Sequence, residues 1–239
     1  RRGRHVLAID VDPQPTLATT LGIVASGGGA ATGVPTDLFD VAVASGPQLG
    51  MPASQIIEQY GIPGPDNVTL VIAHRLEHVE MHCNSATHAM VRGMLASLVA
   101  EQADVVLVDM EAGVEHFSRS GGTLAHAEVL LIMVEPFHKS LVTGGQVAAL
   151  SAELAIPQRY VVANKVRHSA DMTHITQFCD DNDLELIATI PWDTQVQDAE
   201  ARGQAPIDYA PDSPGVAAAR SLALSVLERV EAPAVATRS

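Results

Sequence analysis

Basic side chains are scarce in this sequence. Lys and Arg number 14 against 28 Asp and Glu, giving a formal net charge of -14. A nucleic-acid backbone is gripped by clustered Lys and Arg, and here only Arg1, Arg2 and Arg4 cluster, so no nucleic-acid partner is expected. Cysteine is nearly absent. Cys83 and Cys179 are too few for a disulfide framework and suit a reducing compartment. Long hydrophobic runs are missing too: none approaches the roughly 18 residues of a spanning helix, and the charged start leads into no signal-peptide core. The expectation is a soluble, cytoplasmic protein with no membrane partner.

What is present is enough apolar material for a sizeable core, 47% of 239 residues, read as a single domain over residues 1–239. Strand-length apolar runs recur at residues 5–9, 68–73, 105–108, 129–134, 160–163 and 186–190. Between most of them apolar residues fall at helical spacing, over residues 90–100, 141–154 and 173–179, and a last such run covers 216–230. This alternation predicts an α/β fold, doubly wound, with a mostly parallel sheet and helices on both faces. One segment breaks the rhythm. Residues 24–67 are dense in Gly and Pro, from Gly27-Gly28-Gly29 to Gly61-Ile62-Pro63-Gly64-Pro65, with a helical turn expected at residues 53–60. It reads as an insertion or as a switch region, the second being favoured because long loops in compact domains are often functional.

The stretch around which the rest is organised is Asp109-Met110-Glu111-Ala112-Gly113-Val114-Glu115-His116, which follows Val105-Val106-Leu107-Val108. An apolar run that ends in acid and then Gly reads as a buried parallel strand stopping at a loop, where open α/β sheets bind ligands. Acids there can equally cap the next helix. Asp10-Val11-Asp12-Pro13 stands in the same place after residues 5–9. Two strands delivering carboxylates to one sheet edge favour a magnesium nucleotide site over two coincident caps.

Several stretches together resemble one family: residues 6–13, the motif at 109–116, Val134-Glu135-Pro136 with Lys139-Ser140-Leu141, Val162-Ala163-Asn164-Lys165-Val166, and Ile190-Pro191-Trp192-Asp193. They look like the deviant-Walker ATPases that include the ParA, MinD and nitrogenase iron protein relatives. The Glu-Ala-Gly-Val-Glu-His string is closest to the carbon monoxide dehydrogenase maturation ATPases of CooC type. The resemblance implies ATP and Mg²⁺ as cofactors and a P-loop NTPase-like fold. It makes Asp12 the residue that orients the attacking water, with Asp10 behind it near the metal. Asp109 would reach Mg²⁺ through water, and Gly113 would let the backbone approach the γ-phosphate. Asn164 and Lys165 would meet the adenine base, and Pro191, Trp192 and Asp193 would lie on its other side; an Asn amide can both donate to and accept from a base edge. Trp192, the sole Trp, either stacks there or covers the sheet edge.

One part of the family pattern is absent. No Gly-rich loop ending in Lys and Ser or Thr occurs in the sequence: Gly27-Gly28-Gly29 has no following Lys, and Gly144-Gly145-Gln146 lies inside a helical pattern. Such a loop surrounds phosphates with backbone N–H groups and sets Lys on their oxygens. Without it the chain should bind nucleotide poorly and hydrolyse no measurable ATP. In the resemblance the missing strand and loop come first and the strand is central, so its neighbours should carry exposed apolar edges. We read the chain as an N-terminally truncated copy of a working ATPase; the alternative is a non-catalytic relative that acts by binding a partner.

A metal reading comes from Cys83. In CooC-type proteins a Cys-x-Cys from each of two subunits holds a soft metal, and here Cys83-Asn84-Ser85 keeps the first Cys and replaces the second. One thiolate per subunit gives two sulfurs of four, with His82 placed to add nitrogen. The expectation is nickel or zinc at the interface of a homodimer; a lone Cys among scattered His is also common where no metal binds. The leading function is then an ATPase-type metallochaperone for a client metalloenzyme, with nickel insertion into carbon monoxide dehydrogenase as its finer form. A partitioning or positioning ATPase of ParA or MinD type is the alternative.

Overall fold

The computed structural model describes residues 3–12, 15–23, 52–73, 103–110, 113–114 and 124–231. They fall into two compact units, Arg1–His126 with Glu200–Ala205, and Ala127–Ala199 with Pro206–Ser239.

In the first unit β1 (Val6–Asp10) is followed by a short helix α1 (Leu17–Thr20), helix α2 (Ala53–Tyr60), a two-residue strand β2 (Ile62–Pro63), β3 (Val68–Ile72) and β4 (Val105–Asp109). The sheet order is β2-β3-β1-β4. β1 runs parallel to both β3 and β4, and β2 is antiparallel to β3. Alternate side chains of a strand point to opposite faces, and β1 shows it. Leu7 and Ile9, with Val11, pack with Ala53, Ile56, Val71 and Ala73, whereas Ala8 packs with Leu70 and Ile72 on the other side. Burial on both faces is why β1 reads as an unbroken apolar run. The helix expected within the Gly/Pro-rich excursion is α2, and its Ala53 and Ile56 anchor it in the first of these clusters.

The second unit contains β5 (Val129–Val134), α3 (His138–Glu153), β6 (Gln158–Val166), α4 (Ser169–Asn182), β7 (Glu185–Pro191), all but the last two residues of α5 (Thr194–Ala201), α6 (Pro206–Tyr209) and α7 (Pro214–Glu231). β5, β6 and β7 form a parallel sheet in that order. Buried residues recur at helical spacing, Gly144, Ala148 and Ser151 on α3 and Ile175, Phe178 and Cys179 on α4. They meet Ile132, Val134, Val161 and Ala163 of the sheet. The Gly144-Gly145 pair has a packing reason: a Cβ on Gly144 would stand 2.9 Å from Val134 Cγ1 and 3.1 Å from the Phe178 ring. α7 packs on β7, and Arg229 of α7 pairs with Glu185.

The mostly parallel α/β architecture matches the pattern of apolar runs, and all six predicted strands are present. Among the described residues β4 and β5 each pair on one side alone. Both display a large apolar side chain, Leu107 at 50% and Met133 at 48% exposure. Pro63, which lacks an N–H to offer, instead sits on edge strand β2. Residues 24–51 and the helical pattern at 90–100 lie outside the described residues. No helix among the described residues is long and apolar enough to cross a membrane.

Candidate functional site

Two groups of candidate residues stand at carboxyl ends of strands, one in each unit. In the first, β1 and β4 end in register, with Asp10 opposite Asp109. The ladder runs on past them, since the Val11 amide donates to Asp109 O at 2.9 Å and the Ala73 amide to Asp10 O at 2.8 Å. Asp10 is fully buried. Its Oδ1 accepts from the Asp12 amide at 3.1 Å and its Oδ2 from the Leu17 amide at 3.0 Å. One carboxylate therefore fixes the loop that carries Asp12 and the first turn of α1. Burial pushes the Asp10 carboxyl above its ordinary range against the pull of those amides.

Asp109 differs in being accessible to solvent. Its carboxyl is also raised, first by the partial desolvation of its surroundings and then by the charges of Asp10 and Asp12. The three acids are thus mutually repelling, an arrangement that a cation relieves. Mg²⁺ needs only one or two carboxylates when phosphates and water complete its shell, and accessible Asp109 beside buried Asp10 fits that demand. Among the described residues no three His, Cys, Asp or Glu side chains converge as an all-protein metal cage. Gly113 has φ 158, and a Cβ there would meet nothing within 4 Å. Glu111, Glu115, His116, Cys83 and His82 lie outside the described residues.

The second group stands at the ends of β6 and β7. A register shift between Ala163 and Val166 throws Asn164 and Lys165 out of the ladder, and Lys165 takes the left-handed φ of 55. The Lys165 amide donates to Asn164 Oδ1 at 3.0 Å, and Lys165 Nζ pairs with Glu135 Oε1 at 2.7 Å. Glu135, just beyond β5, donates its amide to the Ser140 hydroxyl in the first turn of α3. Pro191 stands opposite Val166, and the Trp192 amide donates to Val166 O at 2.9 Å. The ring of Trp192 is covered by the guanidinium of Arg167, 3.9 Å from its centroid.

Asp193 has a second employment. Its Oδ1 accepts from the Gln195 amide at 2.9 Å and its Oδ2 from the Gly215 amide at 2.8 Å, so one carboxylate caps the starts of both α5 and α7. Burial works to raise this carboxyl, but the Ser213 hydroxyl and the Gly215, Gln195 and Val196 amides outweigh it and hold the group below the usual range. A Cβ on Gly215 would lie 3.0 Å from Asp193 Oδ2. Asp193→Ala should therefore cost about 1–2 kcal/mol in urea unfolding, and Gly215→Ala should weaken the same cap. A loss below about 0.3 kcal/mol for Asp193→Ala would remove this double-cap account.

Sequence reasoning missed Arg167 as the neighbour of Trp192. Nothing in its local pattern signals a ring 25 positions away; the signal lies in the pairing of β6 with β7, which only the fold supplies.

Comparison with known proteins follows the same lines. Residues 1–207 match the family model described as CobQ/CobB/MinD/ParA nucleotide binding domain. The carbon monoxide dehydrogenase accessory protein CooC of Rhodospirillum rubrum is 32% identical over 236 residues, 95% of this chain and 87% of that protein. An uncharacterized ATP-binding protein of Methanocaldococcus jannaschii is 28% identical, covering 85% of this chain and 80% of its own. Among solved structures, the septum site-determining protein MinD of Pyrococcus horikoshii, complexed with Mg-ADP, superposes with a TM-score of 0.69 at 21% identity. That match covers 96% of this chain and 86% of the other. A ParA family ATPase of Chlorobium tepidum gives 0.68 at 18% identity over 95% and 86%.

Proposed function

The chain belongs to the CobQ/CobB/MinD/ParA nucleotide binding domain family, and from that footing we propose that it is an ATPase-type metallochaperone for the maturation of a client metalloenzyme, inactive in hydrolysis as the 239-residue chain. The observation that carries the nucleotide part is the in-register pair Asp10 and Asp109 at the ends of parallel strands. The similarity to the CooC protein supports nickel insertion into a carbon monoxide dehydrogenase as the client reaction. In this reading the protein works as a homodimer, with nickel or zinc as cargo at Cys83 and His82.

Bound Mg²⁺ would supply charge neutralisation to the phosphates. The protein's own part is positional. Asp10 holds Asp12 and Leu17 through their amides; with nucleotide bound, Asp12 would orient water, Asp109 would hold Mg²⁺ through water, and Gly113 would leave the backbone clear for a phosphate. Asn164, Lys165, Pro191, Trp192 and Asp193 serve the base, Asp193 by holding its loop to α7. Positioning and electrostatics are what phosphoryl transfer to water asks of a protein.

A partitioning or positioning role of ParA or MinD type is the second reading, supported by the shared fold. The net charge of -14 and the pairing of Arg229 with Glu185 count against a basic membrane or DNA surface on α7.

Calorimetric titration of the purified chain with Mg²⁺-ADP tests the nucleotide reading. With no Gly-rich loop ending in Lys and Ser or Thr, binding should be roughly millimolar and dependent on Mg²⁺, and ATP should be hydrolysed no faster than in buffer. Absence of heat at about ten millimolar ligand would sink the proposal, and ready hydrolysis would overturn the stated need for the phosphate loop.

A further inference from the structure

We infer that Arg167 is a specificity residue for a purine base, its guanidinium forming the outer plane of a stack whose inner plane is Trp192. This deepens the nucleotide reading and rests on it, but it assigns a platform that neither Asn164 nor Trp192 supplies alone. The stack is fixed from both sides. The Trp192 amide is tied to Val166 O at 2.9 Å, on the strand that leads into Arg167. The Arg167 amide in turn donates at 2.8 Å to Asp171 Oδ2 on the first turn of α4. With both backbones held, the guanidinium lies 3.9 Å from the indole centroid, the separation of two flat groups in contact.

That contact covers one face of the ring, so a base cannot use this face without displacing Arg167. The other face of the guanidinium belongs to an exposed residue. Guanidinium planes accept bases in stacking as aromatic rings do, and a positive plane over indole strengthens the ladder rather than weakening it. Asn164 stands two residues before Val166 on the register shift of the same strand end. Its Oδ1 is turned back to the Lys165 amide, which leaves Nδ2 to donate to an acceptor on a base edge. A flat surface plus an edge donor selects a planar heterocycle with ring nitrogens or a carbonyl, and a purine offers the larger face. Lys at position 167 would keep the charge and lose the plane.

The probes are adenosine, ribose 5-phosphate and Mg²⁺-ADP, titrated into the 239-residue chain with calorimetry and with the emission of its single tryptophan as readouts. Adenosine should bind and change Trp192 emission while ribose 5-phosphate leaves it unchanged. Arg167→Ala should weaken adenosine roughly tenfold, and Arg167→Lys should weaken it almost as much, because stacking needs the plane. If Arg167→Lys binds as the native chain does, the role is one of charge and the stacking inference is overturned. Mg²⁺-ADP bound with equal affinity by the native chain and Arg167→Ala overturns it too while leaving the nucleotide reading intact. Adenosine bound through Arg167 with no added contribution from Mg²⁺ and phosphates upholds the platform and removes the nucleotide reading. If neither probe binds, both fall.

Discussion

Replacing Asp10 by Ala is expected to lower the unfolding free energy by about 2–4 kcal/mol, the cost of leaving two amides without acceptors inside the protein. The Asp10 side chain is inaccessible to solvent, and its two oxygens serve the Asp12 and Leu17 amides. Removing it frees Asp12 as well as the start of α1. Burial of its charge works in the other direction, as the raised carboxyl shows, so the net loss is smaller than the sum of two broken charge-assisted bonds. Asp10→Asn keeps one acceptor and should lose about half as much. Denaturant unfolding followed by circular dichroism measures both. A loss below about 0.5 kcal/mol for the Ala variant would mean that Asp12 and Leu17 are held by something else.

Asp109→Asn should act in opposite directions on stability and on function. The Asp109 carboxyl stands beside two other acids and is raised by desolvation and by their charge, so removing its charge relieves repulsion in the ligand-free protein. The melting temperature at neutral pH should rise by roughly two to four degrees, while the Mg²⁺-dependent part of nucleotide binding falls at least about tenfold. The pH dependence has a definite sign. A carboxyl raised in the folded state holds its proton more tightly there than in the unfolded chain. Its stabilising contribution is therefore complete below the ordinary carboxylate value of about 4 and is lost as pH rises through the folded value. The advantage of Asp109→Asn over the native protein should thus be present at pH 7 and vanish as the pH falls below about 4. Asp171 and Asp193 are shifted down, chiefly by amides in the first case and by a hydroxyl and amides against burial in the second. They contribute with the reverse sense, losing stabilisation as pH falls. A variant that melts lower than the native protein at pH 7 would show that Asp109 is engaged in an attraction, and the metal-facing role would lose its basis.

Much of this fold was legible because burial on both faces writes a parallel strand as a continuous apolar run. β1, β3, β4, β5, β6 and β7 all appeared as such runs. β2 did not, since two residues on an edge, one of them Pro63, carry no periodic signal. α5 and α6, of eight and four residues, are too short to write a helical period, and the start of α7 depends on a partner remote in sequence, Asp193. The same limit applies to the site. Asp10 and Asp109 were each visible as an acid closing a strand, yet their alignment depends on which strands pair. Asp193 was read beside the base from its neighbours Pro191 and Trp192, and its grip on two helices could not be seen in that string. Arg167 followed a motif without belonging to it, and only the placement of Trp192 gives it a role.

The pairing of β1 carries a consequence for how the protein comes into being. Val6 is joined to Val68 and to Val105, whereas in the other unit Val129 meets Gln158 and Tyr160 meets Glu185. The strands of the second sheet close over short connections, each holding one helix, and such local closures are fast. β1 precedes both of its partners in the chain, and it has to wait until Asp109 has been synthesised before both of its sides are satisfied. For the first part of that interval Leu7, Ile9 and Val11 are an apolar segment without their neighbours Val71 and Ala73, which makes β1 a segment for a chaperone to shield during translation.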